Sequence, residues 1–391
     1  MTLPALATHE IGSLAKTPWR VKAFSGIPLE ESDVQDAVKW GIRLNIDEKD
    51  SLLELLSKKK DFTPEEKSEI VRFSSLYAIK LMENAGLDLV WDGEQHRVEM
   101  YEYPIRRMSG FVFHGHVRSF DHKYYRKASC IQEPGCEVPY HIQEYKEITA
   151  LAKKQIKIPL TGAYTIVDWS FDEYYMANVV PGKTNIHQVR HEARRQFLHD
   201  ITKNVIHPNI KALYDQGVRY IQIDEPAATT KKDEIPDFVE TMRQTIGDLA
   251  GKAFFSTHIC FSDYRRLFPD ILSLVGILDE IHFEYANRDS KELGVDSQTR
   301  KGYEILHHFK NTSFKVGLGV LDVHTDFIES PELVRDRILY AIEILGDPSR
   351  IFVAPDCGLR TRSWDIAFEK LRNMVEGRHL AAKALDLSHI F

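Results

Sequence analysis

His258-Ile259-Cys260 sets an imidazole and a thiol two residues apart. On an extended backbone such residues point to the same side, so both groups can address one point, and a borderline-soft ion such as zinc takes that ligand pair. Two more residues of ligand type stand in similar contexts downstream: Glu284 in Phe283-Glu284-Tyr285 and Cys357 in Pro355-Asp356-Cys357-Gly358. If these strand ends converge, the four supply two thiolates, one imidazole and one carboxylate, a tetrahedral zinc set whose carboxylate is the displaceable ligand. The competing reading takes Cys260 and Cys357 as small buried apolar residues, which most free cysteines are. Cys130 and Cys136 have no ligand-type neighbours and read as structural.

Carboxylates follow the same habit. Asp224-Glu225-Pro226 closes the run Tyr220 to Ile223, and Asp92-Gly93-Glu94 closes an earlier apolar stretch. Acids at strand ends can hold an ammonium group by charge-assisted hydrogen bonds, or they can pair with a neighbouring Arg or Lys, or cap the next helix. His324, in Leu321-Asp322-Val323-His324, is a candidate general acid because an imidazole titrates near neutrality; a lone histidine is more commonly a satisfied structural group.

These residues need a scaffold that gathers strand ends. Thr63-Pro64-Glu65-Glu66 has the signature of a capped helix start, and that helix runs to about Gly86, before an apolar strand from Leu87 to Trp91. Helical text from about Gln188 to Gln216 precedes the strand Val218 to Ile223, and Ser330-Pro331 opens a helix that Gly346 closes before the strand Ile351 to Ala354. Strands separated by helices of this length form a parallel sheet. Candidate strands end near Ser13, Glu94, Thr165, Asp224, Cys260, Glu284, Asp322 and Cys357. Eight of them predict an α/β fold, a TIM (β/α)8 barrel, with the chemistry on loops after the strand ends. An open doubly wound sheet is the alternative, but no G-x-G-x-x-G turn supports it.

Residues from about 111 to 145 break the rhythm, with the alternation Phe111-Val112-Phe113-His114 and a turn around Glu133-Pro134-Gly135. They predict a hairpin-bearing insertion between the second and third strands. Residues 1–391 are otherwise expected to form a single barrel domain, with the first sixty giving one strand and then helical decoration. Charge and hydropathy fit this. Hydrophobic residues are 43% and charged residues 28%, ordinary for a chain that buries a sizeable core, and a net charge of -7 gives no reason to expect nucleic acid. No apolar run is long enough for a membrane helix and no secretion signal opens the chain, so a cytoplasmic protein is expected, with four cysteines too few for a disulfide framework.

Taken as an ordered set, the motifs resemble the catalytic C-terminal barrel of the cobalamin-independent methionine synthase family. The set comprises Thr8-His9-Glu10-Ile11-Gly12-Ser13, Asp92-Gly93-Glu94, Thr161 to Thr165 with Asp168-Trp169-Ser170, Ile221 to Ala227, Thr257 to Cys260, Gly317 to His324 and Pro355 to Leu359, spanning residues 8 to 362. The resemblance implies zinc on His258, Cys260, Glu284 and Cys357. It implies homocysteine as the methyl acceptor, its amino group held by Glu94 and Asp224 and its carboxylate received at Ile11 and Ser13. His324 then matches a histidine that assists the donor or leaving group, and Trp169 a tryptophan near the donor.

Full-length members of that family carry a second, N-terminal barrel that helps hold a polyglutamated methyl-folate, and this sequence has no counterpart to it. The chain is similar instead to short core forms, for which the implied donor is a methylcorrinoid or its carrier protein ahead of methyl-tetrahydrofolate. Two rivals use the same fold: a zinc alkyltransferase acting on another thiol such as coenzyme M, and a noncatalytic zinc barrel that docks a corrinoid protein. Neither needs acids for an amino group.

Overall fold

A computed structural model of the chain describes residues 3–118, 124–178 and 185–387. Six parallel strands form one continuous sheet in the order Ile158–Thr161, Tyr220–Asp224, Phe254–Ile259, Glu280–Phe283, Lys315–Gly319 and Ile351–Ala354. The circle closes through shorter pairings. Thr8 bridges to Val353, His9 bridges to Leu89, and Leu89–Val90 pairs in parallel with Gln155–Ile156, just before the strand Ile158–Thr161. The result is the expected eight-stranded barrel, with helices such as Pro64–Ala85, Pro331–Leu345 and Trp364–Ala384 packed outside it. Among the described residues no helix is long and apolar enough to cross a membrane.

Local chemistry explains most boundaries. Thr63 Oγ1 accepts the Glu66 N–H at 3.2 Å while Glu66 Oε2 accepts the Thr63 N–H at 2.7 Å, and Gly86, with φ of 93°, ends that helix. The predicted helix from Gln188 to Gln216 is instead interrupted by a π turn, Thr202–Ile206, between Ile186–Ile201 and His207–Asp215. Pro208 has no N–H to return to the preceding turn, so the ladder widens ahead of it. The first sixty residues supply the bridging strand and then the helices Pro18–Ser25, Glu31–Arg43 and Lys49–Leu56.

Three sequence expectations are corrected. The second strand is only Leu89–Val90, and the third ends at Thr161 rather than near Thr165. Ala163–Trp169 is helical despite its β-branched text, because the buried Glu225 carboxylate accepts the N–H groups of Tyr164 at 3.1 Å and Thr165 at 2.8 Å and so caps a helix there. A hairpin does stand between barrel strands two and three, as Ser109–Arg118 against Tyr124–Gly135, but Glu133-Pro134-Gly135 closes its second strand. Residues 119–123, which link the two strands, lie outside the described residues. Phe171–Asp172 adds a third, parallel strand to it.

Beside the barrel, Asp92, His96 and Glu144 bring ligand-type atoms within 4.8 Å. Their bonding is that of an ion cluster: His96 Nδ1 meets Asp92 Oδ2 at 2.7 Å, its Nε2 meets Glu147 Oε2 at 2.8 Å, and Arg97 holds Glu144 at 2.8 Å. Burial works against an imidazolium here, but the bond and charge of Asp92, with Glu144 and Glu147, outweigh it and raise the His96 pKa to about 9. This stabilisation is full below the ordinary value of 6.5 and is lost as pH rises through about 9. His96→Gln should therefore destabilise by on the order of 2 kcal/mol near pH 6, with the deficit shrinking at pH 9.5 in urea unfolding; a deficit independent of pH would show that the charge is not what matters. A Cβ on Gly162 would overlap the Glu225 carboxylate, so Gly162→Ala should cost about 1–3 kcal/mol in the same assay.

Candidate active site

The strand ends surround a cavity of about 100 Å³ lined by residues from seven of the eight barrel strand ends and the loops after them. Nine of the ten residues singled out from sequence line it: Ile11, Ser13, Glu94, Trp169, Asp224, His258, Cys260, His324 and Cys357. Glu284, the tenth, is buried immediately behind, at the end of the strand Glu280–Phe283.

His258, Cys260 and Cys357 form the tightest cluster, with every pair of ligand atoms within 4.8 Å. His258 Nε2 lies 3.4 Å from Cys357 Sγ. Burial, reinforced by the charges of Lys157 and His9, lowers the His258 pKa to about 3, so the ring is neutral and has a lone pair to offer. The Cys260 thiol is pushed well up, first by its bond to Cys357, then by burial and by the negative groups Glu284 and Asp224. Those same neighbours are what a divalent cation would neutralise, and the donor set suits zinc. Glu284 adds a second sign of fit. Its Oε2 accepts N–H groups from Phe261 at 3.1 Å and Asn287 at 3.0 Å, while its buried Oε1 has no hydrogen bond and stands 3.4 Å from His324 Nε2. Glu284 is outside the cluster of three and beside it, so the structure brings together three of the four expected ligands and keeps the fourth within the same wall.

The paired acids divide their work. Asp224 and Glu94 line the cavity, whereas Asp92 turns away to Ser75 and His96, and Glu225 caps the helix Ala163–Trp169. Of the alternatives raised by the sequence, capping of a helix is realised by Glu225, and Asp224 and Glu94 are the members of their pairs that face the cavity. Asp224 Oδ1 accepts from Gln222 at 2.7 Å, yet burial raises its pKa well above the usual range, with the nearby Glu94 adding to the rise. Glu94 is backed by Arg97 at 3.4 Å and holds a left-handed backbone, φ of 59°, next to Gly93. An ammonium group between these two acids would relieve their mutual repulsion.

The rim is partly aromatic. Trp169 ends its short helix and stacks on Tyr125 of the hairpin, centroids 5.3 Å apart at 28°. Phe261, left-handed at φ of 50°, is half exposed and meets the His324 ring edge-on at 4.6 Å. For His324, burial opposes protonation, but the Glu284 carboxylate outweighs it and raises the pKa. Cys130 and Cys136 bond to the carbonyls of Gln132 and Val138 and stay out of the site, as expected; burial pushes the Cys130 thiol up to about 12.

Sequence reasoning missed the layer beneath. Lys157 is buried inside the barrel, its ammonium held by the Glu10 carbonyl, by Gln222 Oε1 at 2.5 Å and by His9 Nδ1 at 2.8 Å. His282 lies against His258. Their signal in the sequence is a charge or imidazole inside strand text, at a position that must face inward. Of the further cavity-wall residues, Arg360 and Thr361 directly follow the motif Pro355 to Leu359, whereas Glu99 and Met100 lie in the loop beyond Asp92-Gly93-Glu94.

A family profile described as "Cobalamin-independent synthase, Catalytic domain" matches residues 51–380. A methionine synthase of Thermoplasma acidophilum is 38% identical over 330 residues, covering 81% of this chain and 91% of that protein. One from Thermococcus kodakarensis is 31% identical over 389 residues, 98% of this chain and 96% of its own. Among solved structures, a B12-independent methionine synthase from Shewanella sp. W3-18-1 in complex with selenomethionine aligns with a TM-score of 0.71 at 21% identity, over 97% of this chain and 99% of that one, and shares the fold. Extent and identity together decide the assignment: the chain belongs to the family of cobalamin-independent synthase catalytic domains.

Proposed function

We propose that this protein transfers a methyl group to the thiol of homocysteine, forming methionine, with zinc held by His258, Cys260 and Cys357 and with Glu284 as the fourth, displaceable ligand. One observation carries the reading: a thiol-rich ligand cluster and two buried acids, Glu94 and Asp224, face one small cavity. An amino-acid thiol needs both. Coenzyme M has no ammonium to engage the acids, and a barrel that only docked another protein would need neither acid.

The chain's own residues would work as follows. Glu94 and Asp224 hold the ammonium group, and Ser13 and the backbone at Ile11 receive the carboxylate, which aims the sulfur at His258, Cys260 and Cys357. Zinc at that point supplies Lewis acidity that favours a thiolate at neutral pH. His324, with its pKa raised beside Glu284, would serve as an electrostatic partner where the donor's methyl group enters. Trp169 and Phe261 form apolar walls where a donor enters. Catalysis is then mainly alignment of sulfur, methyl carbon and leaving group.

The donor in this proposal is a methylcorrinoid, free or protein-bound. Supporting it is the aromatic and apolar character of the rim, against which a bulky donor can rest while only its methyl group enters a cavity of about 100 Å³. Cytoplasmic location is part of the same reading, since a thiol-based site must stay reduced.

Three outcomes are expected. Cys260→Ser and Cys357→Ser should each lose most of the bound zinc by metal analysis, and full zinc in both variants would sink the site. Asp224→Asn should keep its zinc but raise the KM for homocysteine roughly 10- to 150-fold, the equivalent of about 1.5–3 kcal/mol for a charge-assisted bond; an unchanged KM would refute the ammonium role. Methionine formation should be faster from methylcobalamin than from mono- or polyglutamated methyl-tetrahydrofolate at matched concentrations, and a faster folate reaction would overturn the donor assignment.

A further inference from the structure

His258 and His282 occupy paired positions on adjacent parallel strands. Residues in register share a face of the sheet, so both imidazoles enter the barrel, where they are 4% and 1% exposed. Their Nδ1 atoms are 2.8 Å apart. A contact this short between two ring nitrogens holds one proton, with one ring donating and the other accepting.

The direction decides what His258 offers at its other end. If His258 donates from Nδ1, its Nε2 keeps the lone pair, and Nε2 is the atom that faces Cys357 Sγ at 3.4 Å. If His282 donates, the His258 proton sits on Nε2 and an N–H points at the thiols. Only the first arrangement leaves His258 able to bind a cation.

Surroundings of His282 favour that first arrangement. With Nδ1 accepting, its proton lies on Nε2, a buried atom with no side-chain partner among the described residues, and the Pro355 carbonyl forms a backbone hydrogen bond with the ring. A Cβ placed on Gly317 would overlap both Glu280 Oε1 and His282 Cδ2, the ring carbon bonded to Nε2. The ring edge and the carboxylate therefore share the space that glycine leaves. Glu280 Oε1 also lacks a hydrogen bond and lies 3.4 Å from His9 Nε2. The Pro355 carbonyl can take an N–H from the ring but offers nothing to a bare nitrogen lone pair, so the His282 proton belongs on the nitrogen that His258 does not engage.

We infer that His282 is a positioning residue: it accepts the Nδ1 proton of His258 and so fixes the tautomer and ring orientation that present Nε2 to the metal. Ligating histidines generally donate their second N–H to a carboxylate, carbonyl or water, and such partners tune affinity. Here another imidazole fills that place. The inference rests on the zinc reading above.

Zinc affinity is to be measured by chelator competition on full-length wild type, His282→Ala and His282→Asn, with the fold checked by circular dichroism. The alanine variant should bind zinc about 10- to 100-fold more weakly. The asparagine variant, whose Oδ1 stands where Nδ1 did, should recover most of the loss, which a merely space-filling role would not predict. Equal loss in both folded variants, or full affinity in alanine, would overturn the inference. Nitrogen-15 NMR of the zinc-loaded wild type decides independently if the variants fail to fold: His258 should be protonated at Nδ1 and metallated at Nε2, and the opposite pattern would sink it. Wild type that takes up no zinc would overturn the zinc reading itself; zinc-binding wild type with an unaffected alanine variant would overturn only the role of His282.

Discussion

A buried ammonium organises the interior of this barrel. Lys157 follows the short strand Gln155–Ile156 and points inward, where burial lowers its pKa and only hydrogen-bonded partners make a charge tolerable. Its partners come from two chain segments: His9, the Glu10 carbonyl and more distantly the carbonyl of Ile11 in the first, and Gln222 in the second. Gln222 then passes its amide hydrogens to Ile11 O at 2.6 Å and to Asp224 at 2.7 Å. The backbone at Ile11 and the carboxylate at Asp224, which sit on the cavity wall, are thus fixed from below by one cation. The charge of Lys157 also lowers the pKa of His258, which keeps that imidazole neutral. Positioning of the cavity and electrostatics of the ligand cluster have a common origin.

Electrostatic strain in the cavity is deliberate in its distribution. Glu10 is raised to about 7 and Asp356 to about 8, both by burial, yet Asp356 receives three backbone N–H groups from Tyr285, Ala286 and Asn287 at 2.7–2.9 Å. That carboxylate pins the loop after Glu284. Among the described residues the Asp224 carboxylate has a single side-chain donor, Gln222. The acid that holds a loop is saturated with partners, whereas the acid that faces the cavity has acceptor capacity to spare, as the proposed ammonium role requires.

Much of this was legible in the sequence, for local reasons. Strand ends carry polar residues in a barrel because the loops after them meet, so His258, Cys260, Asp224, Cys357 and His324 announced themselves by position. The helix Pro64–Ala85 was legible because a capping box is a local interaction. What escaped depends on distant partners. The strand read as ending near Thr165 stops at Thr161, and Ala163–Trp169 becomes a helix because Glu225, some sixty residues on, caps it. His282 gains meaning only from the register that sets it against His258. The hairpin was visible as alternation, but its partner Phe171–Asp172 was not, since parallel pairing leaves no turn to read.

Closure of the barrel has a consequence for how the chain is made. The segment around Thr8 and His9 emerges first during synthesis, yet its neighbours are Leu89 on one side and Val353 on the other. The second of these is translated last among the strands. Until then the N-terminal strand can be held by one edge only, through His9 and the Asp88 bonds to Thr8 at 2.8–2.9 Å. The reactive cavity, which needs Ile11 and Ser13 from the first segment and Cys357 from the last, is consequently completed only by the final long-range contact. A nascent or interrupted chain exposes its thiols without yet owning the cavity, so the proposed metal site would be complete only at the end of folding.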